Sequence, residues 1–155
     1  MTTSLRDDIQ QRAAFTSLEQ EASLNLIRTA TQLTDSIDLL LKQKGLGPGQ
    51  YNVLRILRGA EADGICRNDL RDRMLTRMPD MTRLLDRMEE AGLVVRTRDV
   101  DDRRMVLARI TPAGRKLVDE LDGPTEELHQ RQLGHLTDEQ LRTLIDLLTL
   151  VRQRV

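Results

Sequence analysis

The chain has 155 residues, of which 39% are hydrophobic and 32% charged, and its formal net charge is −1. This length suits one domain of ordinary size, or a small domain with helical extensions. No apolar run approaches the roughly 20 residues that span a bilayer, and the N-terminus lacks the basic and apolar stretches of a secretory signal. These features, together with the presence of a single cysteine, Cys66, predict a cytoplasmic protein with no membrane partner.

The net charge hides an asymmetry along the chain. Residues 51–116 contain 15 Lys and Arg against 11 Asp and Glu, whereas the other residues contain 9 against 14. A basic middle between acidic flanks is compatible with a surface that faces phosphates, although ordinary variation of surface charge also produces it. With one Tyr, one Phe and no Trp, the chain lacks the rings on which single strands stack. Any nucleic-acid partner should therefore be duplex.

Apolar spacing predicts a series of helices in the first part of the chain. A shorter helix should run from Pro48 to Gly59, and two further helical patterns cover 65–74 and 79–91, with a tight turn between them. Before these lies a long amphipathic helix that begins ahead of residue 24, with apolar positions at steps of three and four: Leu26, Ala30, Leu33, Ile37 and Leu40.

After Gly92 the pattern changes to that of strands. Residues 93–98 and 105–110 are β-rich runs on either side of the polar stretch 99–104, which predicts a hairpin with a charged tip. Thr111 then caps a helix that we expect Gly123-Pro124 to bend or break.

The last helix should begin after Thr137, which has the spacing of a capping box with Gln140. Seven of the eleven residues from 141 to 151 are apolar, so a single stripe cannot hold them all. Such a helix must be covered on several sides, which predicts a homodimer interface; the alternative is a helix at the centre of the monomer core. The predicted interface residues are Leu141, Leu144, Ile145, Leu148 and Val151.

The order of these elements predicts a mainly α fold with a small β-hairpin wing, an α+β winged helix-turn-helix. In such a fold the second helix of the motif enters the major groove of DNA, and the hairpin lies beside it. We expect an N-terminal helical part of a dimerisation region over 1–46, a winged lobe over 47–113 and the C-terminal dimerisation helices over 114–155.

The helix near Pro79 is the predicted recognition helix. Its buried face should consist of Met81, Leu84, Leu85 and Met88. Arginine can grip guanine through O6 and N7, so we expect Arg83, with Thr82, to contact base edges and Arg87 to contact phosphate. The alternative for these arginines is a solvated charge or an ion pair, such as Arg83 with Asp86 or Asp80. The whole outward set is Arg77, Asp80, Thr82, Arg83 and Arg87.

Residues 45–114 resemble the multiple-antibiotic-resistance regulator (MarR) family, and the resemblance extends more weakly to 22–153. Three stretches carry it: residues 80–94 (DMTRLLDRMEEAGLV), the wing 99–104 (DVDDRR), and the step 110–114 (ITPAG) into the next helix. This chain departs from the family at Val100, where many members have proline, and at Gly123-Pro124, which interrupts what is often one long helix.

The resemblance implies an obligate, triangular homodimer whose terminal helices interlock and whose two winged lobes meet successive major grooves of a pseudo-palindromic operator. It implies that Arg104 enters the minor groove, that Asp102 pairs with Arg104 and holds its direction, and that Arg103 meets phosphate. A narrow minor groove concentrates negative potential, which attracts a guanidinium group. The alternative for these three residues is a soluble hairpin tip.

Family members commonly release DNA when a small, often aromatic or phenolic, acid binds, so the resemblance implies a repressor with a small-molecule inducer. The pocket that it implies has an aliphatic lining. Its expected residues are Leu33, Ile37, Leu41, Tyr51 and Leu54.

No set of nucleophile, base and orienting acid is recognisable, so the sequence predicts neither an enzyme nor a cofactor. His129 and His135 lack further ligands at metal spacing, so no metal is predicted. Cys66 is expected to be buried packing in a short strand or at a helix start, since the chain has no second cysteine to resolve an oxidised one. The alternatives are a thiol-based redox-sensing repressor acting through Cys66 and a winged-helix module that binds protein.

Overall fold

The computed structural model describes residues 3–60 and 63–153. Contacts between Cα atoms group the chain into two compact units, Met1–Ile37 and Asp38–Val155. None of the helices in the described ranges has both the length and the hydropathy that a membrane span requires. The three functional regions expected from the sequence stay a prediction.

The first unit contains α1 (Leu5–Asp8) and most of α2 (Leu18–Lys42). Nε of Arg28 donates a hydrogen bond to Oδ2 of Asp8 over 3.1 Å, which joins the two helices of this unit. Helix α2 starts ahead of residue 24, which confirms the long amphipathic helix expected there.

The second unit contains the predicted winged lobe. Its elements in chain order are α3 (Pro48–Gly59), β1 (Ile65–Cys66), α4 (Arg67–Asp72), α5 (Met81–Glu90), β2 (Val94–Arg98) and β3 (Val106–Ile110). The strands form an antiparallel sheet in the order β1-β3-β2, so the predicted hairpin is confirmed and has a third strand.

Strand β1 corrects the helical pattern expected over residues 65–74, and it decides between the short strand and the helix start that were open at Cys66. Ile65 pairs with Ala108 and Cys66 with Leu107, so the backbone of this short segment bonds to β3. The edge of the sheet thus supplies the hydrogen-bond partners that a first helical turn would leave open. The helix begins only at Arg67.

The core of the lobe lies between its helices and the sheet. Fully buried side chains come from α3, α4, α5 and β2, among them Leu54, Leu57, Leu70, Met88 and Val94. The chain enters its next helix through Gly114, where an added Cβ would lie 2.2 Å from the carbonyl oxygen of Leu93. Glycine at this step therefore lets the helix approach the start of the hairpin closely.

Helix α6 (Pro112–Leu133) runs through Gly123-Pro124 without a break, so the interruption expected there is wrong. Pro124 has no N–H to donate to the preceding turn. The next residue, Thr125, donates its hydroxyl hydrogen to the carbonyl oxygen of Leu121 over 2.7 Å. Val118 and Leu121, before this region, are fully buried, and Thr125 and Leu128, after it, are also buried, so packing of that face keeps the helix continuous.

Helix α7 (Asp138–Arg152) begins as predicted. Oγ1 of Thr137 accepts a hydrogen bond from the backbone N–H of Gln140, and Oε1 of Gln140 accepts one from the backbone N–H of Thr137. No residue of α7 is buried. The alternative that this helix is central to the monomer core is therefore wrong.

Candidate nucleic-acid interface

Helix α5 has the two faces that the sequence predicts. Its four buried residues are Met81, Leu84, Leu85 and Met88, whereas Thr82, Arg83 and Arg87 are exposed. Arg77 and Asp80 are also exposed but precede the helix.

Asp80 has a structural task at the start of α5. Its carboxylate accepts a hydrogen bond from the backbone N–H of Arg83 over 2.9 Å, so it caps the helix, which begins at Met81 rather than near Pro79. The guanidinium group of Arg83 forms no ion pair with any residue in the described ranges, so the predicted alternative of a pair with Asp80 or Asp86 is wrong.

The carboxylate of Asp86 instead binds Arg96 of β2, a residue that the sequence reasoning missed. Nη2 of Arg96 lies 2.6 Å from Oδ1 of Asp86 and 2.7 Å from Oε2 of Glu89, and the backbone N–H of Arg96 donates to Oε1 of Glu89. Hydrogen bonds from Arg96 hold the pKa of Glu89 below its usual value and raise the pKa of Arg96 itself. This cluster fastens the base of the wing to the recognition helix.

The tip of the wing is organised by its aspartates. Oδ1 of Asp99 accepts hydrogen bonds from the backbone N–H groups of Asp102 and Asp101, which lowers the pKa of Asp99. Oδ1 of Asp102 accepts one from the backbone N–H of Arg104 over 2.9 Å. Asp102 thus holds the backbone of Arg104, whereas the family resemblance implied a pair between the two side chains.

The two arginines at the tip of the wing, Arg103 and Arg104, have guanidinium groups that are available to bind an anion. Arg103 and Arg104 are exposed, and neither guanidinium group forms an ion pair within residues 3–60 and 63–153. The backbone carbonyl of Arg103 accepts a hydrogen bond from Nη1 of Arg98, which ties the tip to the strand. The chain path is therefore fixed while the two cationic groups face solvent.

A groove of about 500 Å³ lies where α4, α5 and the wing meet. Its walls include Cys66, Arg67, Thr82, Arg104 and Val106. Nη1 of Arg67 donates a hydrogen bond to Oγ1 of Thr82 over 3.1 Å, a contact that the sequence reasoning did not anticipate. Cys66 is half-buried in this wall, so it is more accessible than the buried packing residue that was expected.

The residues of the expected ligand pocket differ in their surroundings. Leu33 and Ile37, in the first unit, are half-buried, whereas Leu41, Tyr51 and Leu54, in the second, are buried in the core. The hydroxyl of Tyr51 lies 3.4 Å from Oγ1 of Thr125, and its ring lies under the guanidinium group of Arg55.

The predicted dimer residues all lie on α7. Leu141, Leu144 and Leu148 are half-buried, while Ile145 and Val151 are exposed. No group of three or more His, Cys, Asp or Glu that could hold a metal ion occurs in the described part of the chain.

A recognition helix that packs against a preceding helix, with a three-stranded sheet and an arginine-bearing wing beside it, defines a winged helix-turn-helix DNA-binding protein. A sequence model of the MarR family matches residues 44–105. The HTH-type transcriptional regulator FarR of Neisseria gonorrhoeae is 31% identical over 131 residues, which cover 83% of this chain and 88% of FarR. The chain belongs to the MarR family of transcriptional regulators.

Solved structures agree with this assignment. The crystal structure of a MarR transcription factor from Planctomyces limnophilus is 42% identical and covers 88% of this chain and 99% of its own, with a TM-score of 0.67. The Bordetella bronchiseptica protein BpsR, whose DNA binding is regulated by 6-hydroxynicotinic acid, shares the fold with a TM-score of 0.78 and 22% identity, over 90% of this chain and 98% of BpsR.

Proposed function

We propose that this regulator is a homodimeric repressor that acts in the cytoplasm, has no catalytic activity, and binds a pseudo-palindromic duplex operator. One observation carries the proposal: the recognition helix and the wing of one lobe expose arginines whose guanidinium groups have no ion-pair partner in the described ranges. Affinity for duplex DNA depends on cations that neutralise phosphates, so such a surface suits this ligand.

Each exposed residue takes a task that fits its position. Thr82 and Arg83, in the first turn of α5, contact base edges in the major groove, and Arg87 contacts phosphate further along the helix. Arg77, which precedes the helix, contacts the DNA backbone, and Asp80 caps the first turn of the helix.

The wing reads the minor groove. Arg104 enters it and Arg103 binds the flanking phosphate, while Asp102 fixes the backbone between them. The ordered tip favours this assignment, because a fixed chain path lowers the entropy cost of placing a long side chain.

The dimer forms through α7, several of whose apolar residues are exposed in the described part of the chain. Ile145, Leu147 and Leu150 are each more than half exposed. A second copy of the chain would remove this surface from water, which is the ordinary reason for an isologous interface.

A small aromatic acid releases the protein from DNA. The regulation of BpsR by 6-hydroxynicotinic acid supports this class of ligand. We place the ligand next to Leu41, Tyr51 and Leu54, whose burial means that the site has to open as the ligand binds. Such a ligand shifts DNA affinity only if it favours one conformation over the other.

Binding to the DNA that flanks the protein's own gene tests the function. We expect tight binding that is selective over a scrambled duplex and weakens steeply as salt is raised, because counterions return to the phosphates. Fluorescence anisotropy at several salt concentrations measures both properties. Equal affinity for the flanking and scrambled duplexes would contradict the proposed operator.

The wing assignment has its own test. Replacing Arg104 by alanine should weaken binding to that duplex by about 1–3 kcal/mol, the magnitude of one specific contact, and leave the dimer folded. Arg131→Ala, which removes a charge from the last turn of α6, is the control and should leave affinity nearly unchanged. A folded Arg104→Ala dimer with full affinity would remove the wing from the interface.

A further inference from the structure

The hydroxyl group of Thr82 differs from those of most other helical threonines in this chain. Thr31, Thr34, Thr143 and Thr149 each donate their hydroxyl hydrogen to the carbonyl oxygen of the residue four positions earlier, over 2.8–2.9 Å. Thr82 is the second residue of α5, so the residue four positions before it precedes the helix. Its hydrogen has no acceptor in the described part of the chain.

The oxygen of the same hydroxyl group is already engaged. Nη1 of Arg67 donates to Oγ1 of Thr82 over 3.1 Å, while Nη2 of Arg67 lies 3.5 Å from the side-chain oxygen of Asn68. A guanidinium group only donates, whereas a threonine hydroxyl can donate or accept. The contact with Arg67 therefore uses one of the two lone pairs of Oγ1, and the positive charge beside this oxygen favours a hydrogen bond that the hydroxyl donates over a second one that it accepts.

We infer that Arg67 determines base specificity by favouring the hydrogen bond that Thr82 donates to DNA over one that it accepts. The inference rests on the proposed function, in which Thr82 contacts a base edge. A free threonine hydroxyl tolerates either kind of partner, but a hydroxyl that already accepts a bond from a cation is a stronger donor and a weaker acceptor. Guanine, adenine and thymine each present an acceptor in the major groove, whereas cytosine presents only its N4 amino donor. The position that Thr82 reads should therefore disfavour cytosine.

Arg67 is exposed and carries a charge, so it could act on DNA simply by neutralising a phosphate. The two roles have different consequences. Loss of a phosphate contact weakens binding to all sequences alike, whereas loss of the charge that biases Thr82 toward donating changes the preference at one base pair. Base preference is thus the property that separates them.

The experiment begins with selection of a preferred operator from a library of random duplexes by the full-length wild-type protein. Affinities are then measured for all four base pairs at each operator position. The variant Thr82→Val keeps the shape of the side chain and removes the hydroxyl, so the position whose preference it alters is the one that Thr82 reads. Arg67→Ala is compared with Arg71→Ala, which removes another exposed arginine from α4.

At that position we expect the wild type to disfavour cytosine by about threefold to tenfold, the range that one hydrogen bond supplies. Arg67→Ala should reduce this factor to less than about twofold, because without the neighbouring charge the hydroxyl accepts as readily as it donates. Arg71→Ala should preserve the wild-type preference. In the Thr82→Val background, Arg67→Ala should cause no further change in preference, since the two residues act through one hydroxyl group.

Several results would overturn the inference. An Arg67→Ala protein that binds all four base pairs more weakly by one common factor would make Arg67 a phosphate contact only. A change of preference that persists in the Thr82→Val background would show that Arg67 acts on the base itself. If Thr82→Val alters no position, Thr82 is not a base contact. A wild-type protein that selects no duplex would instead refute the proposed function. Circular dichroism and thermal unfolding establish that each variant is folded.

Discussion

Helices α5 and α7 are both amphipathic, yet their apolar residues differ in how far they are buried. The apolar residues of α5 are all buried, Met88 completely, against the other helices and the sheet of the lobe. On α7, no residue is buried, and Leu147 is 56% exposed. The lobe is therefore stabilised by contacts within one chain, whereas the proposed dimer would cover α7 with a second copy. Stability of the DNA-reading lobe and stability of the dimer should thus respond to different substitutions.

The largest expected effect on the lobe comes from truncating its core. Leu54 is fully buried in α3, so Leu54→Ala should lower the free energy of unfolding by about 2–5 kcal/mol through lost apolar contact and the cavity that remains. Urea denaturation at a fixed protein concentration measures this change. Leu75→Ala, at a side chain that is 81% exposed, is the control and should change stability by less than about 0.5 kcal/mol. Equal losses in the two variants would contradict a core built around Leu54.

A charge on α7 should separate the dimer from the lobe. Ile145 is 60% exposed in the single chain, so Ile145→Asp costs the monomer little but places a carboxylate in the proposed interface. We expect the dimer dissociation constant to rise about tenfold to a hundredfold, equivalent to roughly 1.4–2.7 kcal/mol. Sedimentation velocity across a dilution series measures it.

The matched control introduces the same residue on the same helix. Arg142 is exposed, and Arg142→Asp leaves every apolar residue of α7 in place. This variant should remain dimeric at concentrations where Ile145→Asp is monomeric. If both variants assemble like the wild type, α7 does not hold the dimer together.

The sequence predicts those elements whose signals are local. Thr137 and Gln140 stand three residues apart and cap α7 by themselves, and the spacing of Met81, Leu84, Leu85 and Met88 reveals the buried face of α5 without tertiary information. The exposed face of the recognition helix follows from the same periodicity.

What escaped prediction depends on residues far apart in the chain. Strand β1 forms because Ile65 pairs with Ala108, and the sequence near residue 65 does not indicate that partner. Pro124 is a local signal for a helix break, but burial of neighbouring side chains in α6 overrides it. Arg67 and Arg96 act on α5 from a preceding helix and a following strand, so the face of α5 alone cannot identify them.

The smallest expected effect concerns the polar link that joins the wing to α5. Because hydrogen bonds from Arg96 lower the pKa of Glu89 in the folded protein, the link stabilises the fold above the ordinary pKa of 4.5 and is lost as pH falls through the folded value. Both side chains contact solvent, so the contribution is modest. Glu89→Gln should be less stable than the wild type at pH 7, and the difference should shrink as the pH is lowered below the ordinary pKa of 4.5. Urea denaturation at a series of pH values measures that difference. Glu90→Gln, at an exposed neighbour on the same helix, should show no such trend. A Glu89→Gln difference that stays constant with pH would mean that the ionised carboxylate does not hold the wing, and the lobe would then owe its stability to its apolar core alone.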